Sequence, residues 1–79
     1  MPRFYFPSWD GDSFVPDEQG LDLEDLEHAC ALARIGLAEI ARDLLASSAG
    51  DRPMRIQVLD EARRVVSELR LTFTIKDGE

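Results

Sequence analysis

Between Asp22 and Ala46 the apolar residues recur at intervals of three and four: Leu23, Leu26, Cys30, Ala33, Leu37, Ile40 and Leu44. At 100° per residue they form one stripe, widened by Ala29 and Ala41, so the stretch predicts one long amphipathic helix. Its entry carries start signals. Asp22 is placed to cap the first turn, Leu21 and Leu26 have the spacing of a hydrophobic staple, and Glu24 and Asp25 put negative charge where the helix dipole favours it. Ser47-Ser48-Ala49-Gly50 marks the exit, with Gly50 as the left-handed terminator. Glu24, His28, Arg34, Glu39 and Arg42 lie mostly off the stripe. Leu32 sits on its shoulder and Ile35 roughly opposite it. Single exposed apolar residues are ordinary. The alternative is a second apolar contact, for a partner or a second copy.

The runs around the helix read as strands. Arg3 to Trp9 is aromatic, with Phe4 and Phe6 on one face and Tyr5 and Trp9 on the other. Pro7 cannot donate to a ladder, so this strand is expected at an edge or bulged there. Asp10-Gly11-Asp12 is a turn signal, Ser13-Phe14-Val15 a short return strand, and Asp17 to Gly20 the loop that feeds the helix. Asp51-Arg52-Pro53 reads as a second loop, and Met54 to Leu59 alternates with Met54, Ile56 and Val58 on one face. A polar turn follows at Asp60 to Arg64. The longest strand, Val65 to Ile75, alternates again, with Ser67 the polar exception on its apolar side, and a frayed tail is expected after it. The expectation is an α+β fold: a small antiparallel sheet, order β-β-α-β-β, with the helix packed on one face. Leu26, Cys30, Ala33, Leu37, Ile40 and Leu44 are the predicted helix core. Strand order is not legible from the chain.

Seventy-nine residues make one domain, 1–79. A chain of this size buries only about 60% of its unfolded surface, so its stability is modest. Cys30 is the only cysteine and lies on the apolar stripe beside acids, which fits a buried structural thiol rather than a reactive one. The N-terminus lacks the apolar run of a signal peptide, and no stretch reaches membrane-spanning length, so a cytoplasmic location is expected.

Charge is the most uneven property of the chain. The net is −7. Residues 1 to 33 hold eight acids, Asp10, Asp12, Asp17, Glu18, Asp22, Glu24, Asp25 and Glu27, against the single base Arg3. From Arg34 onward eight acids face eight bases. A one-signed field repels nucleic acid and attracts basic surfaces. These eight acids are therefore the candidate partner-binding residues, expected as one contiguous patch around the first hairpin loop and the helix start. Asp22 and then Asp25 are the ones expected to be consumed in capping.

The N-terminal Met1-Pro2-Arg3-Phe4-Tyr5-Phe6, then Asp10-Gly11-Asp12, Pro16-Asp17-Glu18-Gln19-Gly20, the Asp-Leu-Glu helix start, Arg55-Ile56-Gln57-Val58 and Asp60-Glu61 together resemble a family of short bacterial proteins known as a domain of unknown function. The resemblance covers nearly the whole chain. It implies a Gly in the last hairpin turn, where Ala62 and Arg63 stand, a departure that bears on how tight that turn can be. It implies no activity and no catalytic residue. In size and charge alone the chain is also similar to small acidic phage inhibitors such as anti-CRISPR proteins, which block nucleic-acid-binding complexes.

Enzymatic chemistry finds little footing. His28 lies about 200° round the helix from Cys30, so the two cannot pair within one chain. No phosphate loop and no Cys/His metal set is present. The acids at 10–18 miss the calcium-loop spacing, because Phe14 stands where a third ligand is needed. The expected function is a non-enzymatic acidic module or inhibitor, without cofactor or metal. It would dock on a basic partner, a nucleic-acid-binding protein or complex such as a CRISPR effector, and not on nucleic acid or membrane. The alternative is a self-associating module, a homodimer through Leu32 and Ile35 or a sheet edge, whose acids only keep it in solution.

Overall fold

The structure is a computed structural model that describes residues 1–46, 53–74, 76 and 78. Its elements are β1 (Arg3–Phe4), β2 (Ser8–Asp10), β3 (Ser13–Val15), β4 (Leu21–Asp22), α1 (Leu26–Ala46), β5 (Pro53–Leu59) and β6 (Val65–Thr72). The fold is α+β, with a four-stranded antiparallel sheet ordered β3-β2-β5-β6 and a two-stranded ribbon of β1 and β4. The helix exit at 47–50 with Gly50, the loop residues Asp51 and Arg52, and Ile75, Asp77 and Glu79 of the tail lie outside the described residues.

The alternation of β5 is what builds the core. Met54, Ile56 and Val58 are buried under the helix, which answers with Ala29, Ala33, Leu37 and Leu44. Phe4 completes the buried cluster from the N-terminus, and Phe6, Leu23, Cys30, Ile40, Leu69 and Phe73 pack round it half-buried. Leu26 departs from the predicted stripe: it is 40% exposed, and Ala29 takes the buried position in the first turns.

The helix begins later than its sequence signals suggest. Asp25 is the cap, its carboxylate accepting from the His28 backbone N–H at 2.9 Å while its carbonyl accepts from Ala29 N–H at 3.1 Å. Asp22 is occupied elsewhere. It pairs with Arg3 across the β1–β4 ribbon, and Leu23 N–H donates to the Pro2 carbonyl at 2.9 Å. With the cap at Asp25, Leu21 and Leu26 no longer have staple spacing, and both are exposed.

The aromatic run keeps one register along β5 and lacks one donor, at Pro7. Tyr5 bridges Leu59, and Ser8, Trp9 and Asp10 pair with Ile56, Arg55 and Met54, so the register with β5 is unchanged across Pro7. Pro7 contributes only its carbonyl, to Gln57 N–H at 2.9 Å. Beyond the Tyr5–Leu59 bridge, Arg3 and Phe4 pair with β4 instead. Past Pro7, β2 is internal, flanked by β3 and β5, so the edge position expected for this strand does not hold there.

Both hairpins turn tightly. Asp10 pairs with Ser13, leaving a two-residue loop whose first member, Gly11, has φ 61°, the pattern of a type II′ turn. In the second hairpin Arg63 N–H donates to the Asp60 carbonyl and Asp60 N–H to the Arg64 carbonyl, both at 2.9 Å. Arg63 takes the left-handed position at φ 64°, where a glycine is ordinarily found. The missing glycine does not loosen the turn. The Asp60 carboxylate accepts from Ala62 N–H and Arg64 N–H at 2.9 Å each and closes it from within.

Two stability outcomes follow. Leu37→Ala is expected to cost about 2–5 kcal/mol in a urea melt, whereas Leu26→Ala costs less than about 1 kcal/mol. At the second turn, Arg63→Gly is expected to be more stable than Arg63→Ala by about 1 kcal/mol, since both remove the guanidinium and only alanine retains the left-handed strain.

Candidate protein-interaction site

The helix start is fixed by a set of local contacts, several of them between charges. His28 is held by Asp25, ring Nδ1 to carboxylate at 2.7 Å, with the Glu24 carboxylate 3.4 Å from Nε2. The Arg3 guanidinium donates to both Asp22 oxygens, at 3.1 and 3.3 Å, and also to the Gln19 carbonyl. On the edge away from β5, Asp17 accepts from Phe6 N–H at 2.9 Å, and also from Gln19 and Gly20 N–H at 3.2 and 3.0 Å. Gly20, at φ +70°, lies so close under the first strand that a Cβ would fall 2.7 Å from the Phe4 carbonyl and 2.9 Å from the Tyr5 ring. Arg63 covers the same ring, its guanidinium carbon 4.0 Å from the centroid.

The fold redistributes the predicted acidic patch. Asp10 pairs with Met54 at one end of β5, and Gly11 N–H reaches the Pro53 carbonyl. Tyr5 meets β5 at its other end, at Leu59. Asp10 and Asp12 are therefore at least about 17 Å along the sheet from the helix start, and the eight acids are not one contiguous patch. In exchange the second hairpin brings two acids that the charge count along the chain did not assign. Arg3 N–H donates to the Glu61 carboxylate at 2.9 Å, and Asp60 stands next to it in the turn. Asp17, Asp22, Glu24, Asp25, Asp60 and Glu61 are thereby tied to this end with Arg3, Arg64 and His28, Glu18 lies beside Arg63, and Glu27 stands in the first turn of α1. Asp17 is committed to the backbone, and Asp22, Asp25 and Asp60 to partners within the fold. Glu18, Glu24 and Glu27 remain exposed.

Leu32 and Ile35 share a second surface. They line an open groove of about 380 Å³ between α1 and the chain near β4, together with Phe6, Leu21, Gly36 and Ile56. Asp17 and Glu39 also line it. Leu32 is half-buried, Ile35 is 57% exposed and Leu21 is exposed.

The sheet face away from the helix carries an arrangement that one-dimensional reading missed. Phe14 tilts against Trp9 with centroids 4.8 Å apart, and Arg55 stacks on Trp9 at 3.9 Å. Glu68 then accepts from Arg70 at 2.6 Å and Gln57 at 2.8 Å and lies 3.6 Å from Arg55. The signal was present in the alternation of β5, where Arg55 and Gln57 occupy the polar face. Only the strand order, with Trp9 beside Arg55, shows what they meet.

The family model for a domain of unknown function, DUF6894, matches residues 3–72. The chain belongs to that family. No curated protein and no solved structure matches it. DUF6894 brings no activity with it, so the chemistry of this member rests on its own residues. Among the described residues, no group of three or more His, Cys, Asp or Glu side chains is placed to hold a metal, and no helix is long and apolar enough to cross a membrane. Cys30 is half-buried against the core, and His28 is exposed at the helix start.

Titration at the helix start is coupled to the cap. The hydrogen bond from the His28 ring holds the Asp25 carboxyl below its usual range, assisted by the His28 backbone N–H. The same bond to Asp25 raises the His28 ring above the usual histidine value. The His28 contribution is complete below the unfolded histidine value and is lost as pH rises through the raised one. The Asp25 contribution is present above the unfolded carboxylate value and is lost as pH falls through the lowered one. The helix start is thus firmest in weak acid, by an amount that exposure and salt keep small. In Asp25→Asn the cap survives but its charge does not, so the His28 midpoint in an NMR titration is expected to fall toward the usual value. An unmoved midpoint would mean that Asp25 is not its cause.

Proposed function

We propose that this DUF6894 chain is a non-enzymatic acidic module of the cytoplasm that docks on a basic protein, one whose own surface is built to bind nucleic acid. The observation that carries the reading is the excess of acid at the helix start, where Glu18, Glu24 and Glu27 remain exposed beside acids already bonded within the fold. Two arginines at this end are already paired, Arg3 with Asp22 and Arg64 with Asp60. Carboxylates on a rigid cap, ribbon and hairpin present fixed negative charge to a groove shaped for phosphates, and such complementarity speeds encounter and sets orientation. Small acidic phage inhibitors such as anti-CRISPR proteins share this size and charge, and a CRISPR effector complex is one partner of the required kind.

The test is affinity capture from the native host at low salt, followed by surface plasmon resonance with the basic protein retained. Glu18→Lys, Glu24→Lys and Glu27→Lys together are expected to slow association at least tenfold and to flatten its salt dependence, with the circular dichroism spectrum unchanged. Asp12→Lys with Asp43→Lys, away from that end, is expected to change association less than twofold. Capture of no basic protein, or equal losses from the two sets, would overturn the reading.

A further inference from the structure

The helix carries a second stripe that the core does not use. Asp25, His28, Leu32, Ile35, Glu39 and Arg42 alternate by three and four along one flank of α1 and its cap. All but the half-buried Leu32 are exposed, in a helix whose opposite side packs on the sheet. The stripe has an order. An acid and a histidine stand at its N-terminal end, two aliphatic side chains at its middle, and an acid and an arginine at its C-terminal end.

That order is self-complementary when reversed. We propose that the chain forms a homodimer in which α1 packs antiparallel on α1 of a second copy, about a two-fold axis between Ala33 and Arg34. Leu32 then meets the partner's Ile35, His28 meets the partner's Glu39, and Asp25 meets the partner's Arg42. Each end of the apolar centre becomes a cluster of alternating charge, and both ends are the same by symmetry. A parallel pair would instead set Asp25 on Asp25 and Arg42 on Arg42, and would align the two helix dipoles unfavourably. The apolar centre is continuous with the groove that Phe6, Leu21 and Gly36 line beside Leu32 and Ile35. At Gly36 a Cβ would meet only the tip of the Ile56 side chain, at 3.6 Å.

Size sets the strength. The stripe from Asp25 to Arg42 is about 26 Å long at about 1.5 Å per residue, and helices in contact lie about 8–10 Å apart. The buried area is therefore below the roughly 1,200 Å² of a standard interface, so the dimer is a weak one that forms only as the chain is concentrated to about the micromolar range or above. This association stands apart from docking on a basic partner. It uses the flank of the helix, and it leaves Glu18 and Glu27 uncovered.

Sedimentation equilibrium of the full chain from about 1 µM to 1 mM tests it. The expected result is a reversible monomer–dimer equilibrium that Ile35→Asp abolishes. Glu39→Lys sets a lysine against the partner's His28 and is expected to weaken the dimer at least tenfold. His28→Glu in the same chain as Glu39→Lys restores opposite charges across the pair and is expected to return the dimer to within about threefold of the original. Both positions are exposed, so circular dichroism should show an unchanged fold. A monomer at every concentration, a dimer insensitive to Ile35→Asp and Glu39→Lys, or a double variant no stronger than Glu39→Lys alone would overturn the proposal.

Discussion

Everything in this structure depends on one strand being paired on both edges and covered on one face. Pro53–Leu59 bonds to the N-terminal strand on one side and to Val65–Thr72 on the other, and it buries Met54, Ile56 and Val58 against the helix. Met54 and Val58 are the largest side chains wholly removed from solvent among the described residues. A domain this small has little apolar surface to bury, and most of it converges on those three residues and the helix residues opposite. The N-terminal segment adds only what its register along this strand allows, and the helix adds only the residues that face it.

Around that strand, polar side chains do work that regular structure leaves undone. The pairing of β3 ends at Val15 opposite Ser8, so the Phe6 N–H on that edge has no strand partner and donates to Asp17 instead. The last hairpin lacks the glycine that its left-handed position favours, and Asp60 holds it with two backbone bonds while Arg63 rests on Tyr5. In each place an aspartate substitutes for geometry that the backbone does not supply alone. The same residues reduce the acidic surface left over for an outside partner. Charge counted along the chain therefore overstates the charge offered by the fold.

The fold was legible where periodicity is strong. The three-and-four spacing predicts the helix, and the alternation from Met54 to Val58 places those side chains on the buried face. Boundaries were less legible because competing caps look alike in one dimension. Asp22 and Asp25 both read as helix caps, and only the pairing of Asp22 with Arg3, a contact distant in sequence, decides between them. The acidic region shows the same limit. Counting along the chain groups Asp10 and Asp12 with the helix start, but the hairpin carries them toward Pro53, and Asp60 and Glu61 arrive from far downstream. Leu32 and Ile35 stood out in the sequence as breaks in a pattern. Their meaning comes from the groove between them and Leu21, which requires the third dimension.

The place of the central strand in the order of synthesis has its own consequence. A ribosome finishes the amphipathic helix before it makes any residue of Pro53–Leu59. Until that strand emerges, Ala29, Ala33, Leu37 and Leu44 have no sheet to cover them, and Ser8–Asp10 has only its own short hairpin partner. The nascent chain thus passes through a stage with its apolar stripe exposed and its sheet unbuilt. Collapse waits for the last third of the polypeptide, and translation pauses before that point lengthen the interval in which a chaperone, or another nascent chain, meets an uncovered helix.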